Sequence, residues 1–357
     1  MKTAPADSKR AARRWWPAIV FGLLLLAAPA RSGELFQTGY RPLDPLAPLS
    51  PLRSTLAGAP RFHLTVRADL AVQRNPKHEP LHVYLPLPAD APYQQIHWFR
   101  LQPEPAEIRQ TRDGYRIAVW DCGRPAPGTA IDIVYEAEAS LGRIEWEIEP
   151  NNAGVLGEIP PAITREYLAD RESYALQNPL VIQAAREAAG DNQNPLAILR
   201  GVVRTVKKRL SYRLDNVKND AGATLAQGHG SCTEYAFAMI ALARRSGLPA
   251  RYVAGLHARP VVPAAAKLHK ANHKIVEFYL PRYGWLPVDT TKASLKFDDP
   301  KGKITGRIDR TMIYFTHEPE ADAAPLDPRV HLFTATSGEP DSALLIKKRS
   351  TVTWEKK

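Results

Sequence analysis

Residues 221–256 read AGATLAQGHGSCTEYAFAMIALARRSGLPARYVAGL, and this stretch predicts the centre of the fold. A glycine-rich loop leads directly into Cys232. Residues 233–246 are helix formers that are apolar around most of the circumference, which predicts a buried helix. Gly247 and then Pro249 predict the end of that helix, and the short apolar run that follows predicts a strand.

Cys232 therefore lies at the first turn of a predicted buried helix. The unpaired amides and the positive end of the helix dipole favour a thiolate there, and the same amides can stabilise an oxyanion. A cysteine at a helix start is also commonly a small buried residue. The second cysteine, Cys122, makes a Cys122–Cys232 disulfide the main alternative to a reactive thiol. We expect Cys122 to be a structural residue, because a single bridge adds little to a core this large.

The composition of the whole chain is that of a globular protein. With 357 residues, 44% of them hydrophobic and 24% charged, it can form two domains or one large one. The net charge is +11, of which residues 1–30 contribute +4, and the rest is spread along the chain. No zinc-finger, RRM or helix-turn-helix pattern accompanies this charge, so we expect no nucleic-acid partner. The oligomeric state is left open.

Residues 1–30 have the three parts of a secretory signal peptide. A basic stretch ends at Arg13 and Arg14, an apolar stretch covers residues 15–27, and residues 28–30 match a small-x-small cleavage pattern. The apolar stretch is shorter than the ~20 residues that cross a bilayer. We therefore expect a periplasmic or secreted mature protein with no integral membrane span. An N-terminal anchor that is not cleaved is the alternative.

Period-two alternation begins after an extended, proline-rich lead-in at residues 31–60. Short alternating segments separated by turns predict a β-sandwich domain over residues 61–150. Mixed helical and strand patterns predict a second domain over residues 160–320 and a C-terminal tail with possible strands at 321–357. The predicted fold class is α+β, in which a helix packed on an antiparallel sheet follows the β-sandwich.

A predicted hairpin beyond the helix carries two further candidates. Residues 274–280 predict one strand, residues 281–284 a turn, and a second strand leads to Asp289. Antiparallel pairing brings Asp289 near His273 at the entrance of the first strand, while the register that sets their faces stays open. A cysteine, a histidine and an aspartate are the parts of a thiol nucleophile, its base and the group that orients the base.

These motifs together resemble the transglutaminase-like superfamily, and in particular its secreted bacterial members of the cysteine-protease type. The resemblance rests on GSCTEYA at 230–236, GLPARYVAG at 247–255, the strand that begins Asn272-His273, and GWLPVDTT at 284–291. It covers roughly residues 165–292 and implies a papain-like core whose catalytic triad is Cys232, His273 and Asp289. It also implies acyl transfer through a thioester on peptide or protein amides, with either water or an amine as acceptor.

The chain departs from the family pattern at two places, and the second leaves the base open to alternatives. Ile275 stands where an aromatic residue is common, and the insertion at 257–272 contains His257 and His269, either of which could be the base. We favour His273, because it alone lies at the strand entrance at the matching distance from the aspartate.

The oxyanion donors are the least determined part of the site. The backbone amide of Cys232 is one donor by position. Gln227 is near it in sequence, whereas Tyr212 follows the preceding helix and could reach the thiol from across the cleft. A site made of backbone amides alone is the third option.

Other classes of protein share parts of this pattern. A non-catalytic module could keep the fold for protein or cell-wall contacts, but the complete Cys–His–Asp set favours an enzyme. A calcium-dependent cross-linker lacks support, because the sequence has no EF-hand-type acidic loop. A zinc site made from His257, His269 and Cys232 matches no standard spacing. We therefore expect a cysteine amidase, protease or acyltransferase that requires no metal or cofactor.

Overall fold

Strands dominate both ends of the chain, and helices occupy its middle. The computed structural model describes residues 52–91, 93–110, 116–214, 219–257, 266–267, 271–291, 295–296, 304–308, 312–318, 326, 332–339 and 341–357. The first strands are β1 (Leu52–Thr55), β2 (Arg61–Arg74), β3 (His82–Leu87), β4 (Gln94–Gln102), β5 (Glu107–Gln110), β6 (Arg116–Asp121), β7 (Ala130–Leu141) and β8 (Arg143–Ile148). The middle contains α1 (Pro161–Tyr167), α2 (Pro179–Ala189), α3 (Pro195–Arg209), β9 (Ser211–Tyr212), α4 (Ala221–Gln227), β10 (His229–Gly230) and α5 (Cys232–Arg245). The remaining strands are β11 (Ala250–His257), β12 (Ala266–Lys267), β13 (Asn272–Leu280), β14 (Gly284–Val288), β15 (Leu295–Lys296), β16 (Ile304–Ile308), β17 (Met312–His317), β18 (Thr334–Thr336) and β19 (Leu345–Lys356).

Two sheets built mainly from the first strands share one hydrophobic core. One has the strand order β12-β19-β2-β7-β4 and the other β18-β3-β6-β5. On β2 the alternation places Leu64 and Val66 in this core, where they meet Phe99 and Tyr135 from neighbouring strands. Period-two patterning therefore decides which face of each strand is buried.

The C-terminal strand β19 returns to the beginning of the chain. It pairs antiparallel with β2 along its whole length, from Leu345 beside Arg74 to Lys356 beside Phe62. From the sequence, strands in this tail were predicted only as a possibility, because the alternation of apolar and polar residues there is weak. The predicted division into domains at residues 150, 160 and 320 stays a prediction.

The helix α5 is the buried centre of the helical layer, which confirms the interpretation of residues 233–246. All its residues from Cys232 to Arg244 are buried. Gly247 ends it with φ of 79°, a left-handed conformation that glycine adopts at low cost. Neighbouring α2 and α3 approach closely at Gly201, where a Cβ atom would lie 1.7 Å from the Ala188 carbonyl oxygen.

A four-stranded antiparallel sheet of order β14-β13-β11-β17 packs against α5. The hairpin expected at residues 274–291 is present as β13 and β14, which pair from Val276 beside Val288 to Leu280 beside Gly284. The other neighbour of β13 is β11, with Gly255 paired to His273. This register, which the sequence left open, fixes the face on which each candidate side chain lies.

Several predicted features lie outside the described residues, namely the signal peptide at 1–30, the lead-in as far as residue 51, and His269. Among the residues that are described, no helix is both long and apolar enough to cross a membrane.

Candidate active site

The loop before α5 holds Cys232 in a fixed position. Gly228 ends α4 in the left-handed conformation with φ of 73°, and β10 then pairs in parallel with β9. Gly230 is buried, and a Cβ atom there would lie 2.4 Å from Cβ of Glu234. Only glycine therefore allows the chain to enter the helix along this path.

Hydrogen bonds between Ser231 and Glu234 fix the first turn of α5. The Ser231 amide donates a hydrogen bond to Glu234 Oε2 at 2.9 Å, and the Ser231 hydroxyl also donates to that carboxylate. Such hydrogen bonds stabilise the helix start and fix the entry of the chain. It leaves the thiol of the next residue, Cys232, at the positive end of the helix dipole.

The candidate base and its orienting carboxylate meet across the hairpin. His273 Nε2 lies 3.1 Å from Asp289 Oδ2, and both side chains are buried. Continuing the β13–β14 register by one residue sets Asp289 opposite Ile275, so Asp289 and His273 share a face of the sheet.

The side chain of Cys232 is hydrogen-bonded to His273, and its sulfur also accepts the backbone N–H of Lys274. Burial raises the pKa of the Cys232 thiol, but the hydrogen bonds and positive charges of His273 and Lys274 together outweigh burial and lower it below 9.0. Burial likewise opposes a charge on His273, but Asp289 and Cys232 raise the pKa of this imidazole to about 9. These opposite shifts favour a thiolate beside an imidazolium.

The model of the transglutaminase-like superfamily matches residues 182–290, a segment that contains Cys232, His273 and Asp289. Residues 182–290 are a transglutaminase-like core.

Two relatives are similar to this chain over very different lengths. A stretch of 65 residues is 43% identical to a protein-glutamine gamma-glutamyltransferase of Pseudomonas aeruginosa. The aligned stretch covers 17% of this chain and only 10% of that relative. Over 333 residues the chain is 22% identical to an uncharacterized protein of Haemophilus influenzae, covering 78% of this chain and 86% of that one.

One solved structure shares the fold over most of the chain. It is that of a candidate cysteine protease from Cytophaga hutchinsonii, which has 15% sequence identity and a TM-score of 0.59. The match covers 85% of this chain and 92% of that one, so the likeness extends well beyond the transglutaminase-like core.

A second imidazole, that of His257, lies against the candidate base. The rings of His257 and His273 have centroids 4.3 Å apart and planes 32° apart. The sequence presented His257 as an alternative base, but the thiol is hydrogen-bonded to His273. His257 lies two residues after Gly255, the partner of His273, and so shares its face of the sheet; this pairing of two separate segments is not encoded in a local pattern.

The two side-chain candidates for the oxyanion site occupy different environments. The Tyr212 side chain is opposite Gly230 in the β9–β10 pair and is 56% exposed. Gln227 donates from Nε2 to the His229 carbonyl at 2.8 Å and accepts from Asn219 at 2.7 Å. The Gln227 amide therefore stabilises the loop before the thiol through these hydrogen bonds. The exposed Tyr212 side chain, in contrast, is accessible to a substrate.

Both cysteines are free thiols in the structure. Cys122 packs at the margin of the core shared by the two N-terminal sheets. Burial, with a smaller contribution from the charge of Asp121, raises the pKa of Cys122. The two thiols therefore differ in the direction of their pKa shifts.

Proposed function

We propose that this protein catalyses thiol-dependent acyl transfer on peptide or protein amides through a thioester on Cys232. The observation that supports it is the buried line of contacts from Cys232 to His273 to Asp289, with opposite pKa shifts on the thiol and the imidazole. In this proposal Cys232 is the nucleophile, His273 the acid and base, and Asp289 the group that orients the imidazole.

The first half of the reaction forms the thioester. The Cys232 thiolate attacks the amide carbonyl carbon, and the backbone amide of Cys232 donates to the resulting oxyanion. As the tetrahedral intermediate collapses, the C–N bond breaks and the His273 imidazolium gives its proton to the leaving amine. Asp289 keeps the imidazole oriented towards the sulfur while its charge changes.

The second half releases the acyl group. Neutral His273 takes a proton from water or from an acceptor amine, whose oxygen or nitrogen attacks the thioester carbonyl. The C–S bond then breaks and the thiolate–imidazolium pair is restored. Attack by water gives hydrolysis, and attack by an amine gives transamidation. His273 carries the proton in both half-reactions, so the proposed chemistry requires no cofactor.

The setting of the reaction is also part of the proposal. The leader pattern in residues 1–30 supports a periplasmic or secreted protein, and a peptide or protein is the proposed partner. We further propose that the two sheets formed mainly by residues 61–150 are a β-sandwich domain supporting a catalytic domain over 160–320. In this proposal the two sheets offer packing surface to the catalytic domain, and Cys122, at the margin of their core, is a structural thiol.

Hydroxylamine provides one assay for both outcomes of the reaction, because it captures thioesters as hydroxamates. The purified protein is incubated with glutamine-containing peptides and with casein, and both hydroxamate and free acid are measured. Wild type and Cys122→Ala should turn over at similar rates, whereas Cys232→Ala should lose about 10³-fold or more. Equal rates in Cys232→Ala, or failure of Cys232 to form an adduct with an electrophilic peptide, would favour the non-catalytic binding module.

A further inference from the structure

Three donor side chains from three adjacent strands converge on one face of the central sheet. The metal-ligating atoms of His257, His273 and Asp289 all lie within 4.8 Å of one another. Each of these residues is buried but retains some accessible surface, with exposed fractions of 7% for His257, 5% for His273 and 4% for Asp289.

The strand register explains this convergence. Gly255 pairs directly with His273 and has no side chain, so the space beside the imidazole is taken by the residue two positions on, His257. On the other side of β13, Asp289 continues the β14 strand on the same face. The row therefore runs Asp289, His273, His257 across β14, β13 and β11. The proposed acyl transfer uses only the first two.

Two imidazoles and a carboxylate are a donor set suited to zinc and similar divalent transition cations. Zinc binds nitrogen and oxygen at about 2.0–2.2 Å, which sets tetrahedral donor atoms roughly 3.5 Å apart. The present spread of up to 4.8 Å exceeds this spacing by about 1 Å, so the proposal requires the side chains to rotate towards one another when the cation binds. The group comprises two nitrogen donors and one oxygen donor, and the thiol of Cys232 is not part of it.

We propose that His257, His273 and Asp289 form an inhibitory site for a zinc-class divalent cation. The cation binds the lone pair of one His273 nitrogen, the proton held on that nitrogen leaves to solvent, and the ring can no longer alternate between its protonated and neutral forms. It also withdraws the Asp289 carboxylate from its orienting contact. Binding therefore blocks both half-reactions without modifying Cys232, and a chelator restores the free site.

His257 makes the proposal testable, because it belongs to the cation site and has no role in the proposed acyl transfer. The matched control is His82, which lies 3.9 Å from Asp121 in a surface His–Asp pair outside this cluster. Zn²⁺ affinity is measured by calorimetry against a competing chelator for wild type, His257→Phe and His82→Phe. The Co²⁺ absorption spectrum of each protein reports coordination geometry, and thermal unfolding in EDTA confirms that each variant is folded.

Wild type and His82→Phe should bind one Zn²⁺ with equal affinity and give a tetrahedral Co²⁺ spectrum. His257→Phe should bind at least about tenfold more weakly, since even residues behind the ligands cost 10–100-fold. If His257→Phe does not fold, His257→Gln replaces it. Equal Zn²⁺ affinity in wild type and the His257 variant, or no Zn²⁺ binding by wild type, overturns the proposal. These binding readouts need no turnover, so they stand even if acyl transfer is absent.

Discussion

His273 Nε2 and Asp289 Oδ2 lie 3.1 Å apart on neighbouring strands, and this contact holds the proton on the imidazole. It contributes to raising the pKa of His273 to about 9 although burial acts in the opposite direction. Asp289→Asn keeps the shape of the side chain but removes its charge. We expect the pKa of His273 to fall and turnover to drop by about 10²–10⁴-fold, as for triads that lose their carboxylate. The readouts are the imidazole NMR titration and kcat. An unchanged titration would exclude the orienting role.

The two cysteines should differ in reactivity towards iodoacetamide. The thiolate is the reactive form, and the pKa is lowered at Cys232 but raised at Cys122. In the native, unreduced protein at neutral pH, mass spectrometry should find carbamidomethylation at Cys232 first. His273→Ala removes the largest of the interactions that lower the pKa of Cys232, while those of Lys274 remain, and it should reduce this preference. Preferential labelling of Cys122 in the wild type would contradict the assignment of the nucleophile.

The pH dependence of turnover follows from the same pair. Because the pKa of Cys232 lies below 9.0, the thiolate forms at a lower pH than in a free cysteine. Turnover should therefore increase with pH over the range in which the thiol ionises. Raising the pKa of His273 from 6.5 to about 9 keeps the imidazolium until that pH, so turnover should fall above about 9. The stability that His273 contributes is likewise complete below pH 6.5 and lost as the pH rises through about 9. A pH–rate profile of kcat/KM without this basic limb would contradict His273 as the acid.

The sequence was most informative where local patterns decide the structure. The apolar circumference of residues 233–246 predicted the buried helix, and the turn at 281–284 predicted the hairpin, because both depend on neighbouring residues. The pairing of β19 with β2 joins residues far apart in sequence, and no local pattern encodes it. The position of His257 beside the imidazole depends on the pairing of Gly255 with His273. That pairing is a property of two segments separated in sequence, so no local pattern predicts it. The oxyanion donors stay a prediction for the same reason.

The glycine before the nucleophile should be intolerant of any side chain. In Gly230→Ala the added Cβ would lie 2.4 Å from Cβ of Glu234, which caps the helix that begins at Cys232. Forcing this contact should cost about 1–3 kcal/mol of stability and displace the thiol. Gly157→Ala is the matched control, since its Cβ meets no atom within 4 Å, and should stay within about 0.5 kcal/mol. Urea unfolding and alkylation rates measure both effects. Equal stability of the two variants would show that the loop is not constrained at Gly230.

A buried ion pair on the sheet that carries His273 should contribute strongly to the free energy of unfolding. Arg251 Nε lies 2.8 Å from Glu277 Oε2, and the guanidinium lies 3.9 Å from the Trp285 ring centroid. His317 Nε2 is 3.2 Å from the same carboxylate oxygen. Burial lowers the pKa of His317 to about 3, so this imidazole is neutral, and the charge of Arg251 balances that of Glu277.

Glu277→Gln would leave that guanidinium buried without a counter-charge. Breaking a buried pair by removing one partner costs about 3–5 kcal/mol, so urea unfolding should show a loss of that size. Glu158→Gln is the control, because Glu158 pairs with Arg282 at 3.0 Å on the surface, where both side chains are more than 40% exposed. An exposed pair contributes about 0–1 kcal/mol, so this variant should unfold close to wild type. Similar losses in the two variants would mean that water reaches Arg251 and that the sheet beneath the active site is less tightly packed than its burial indicates.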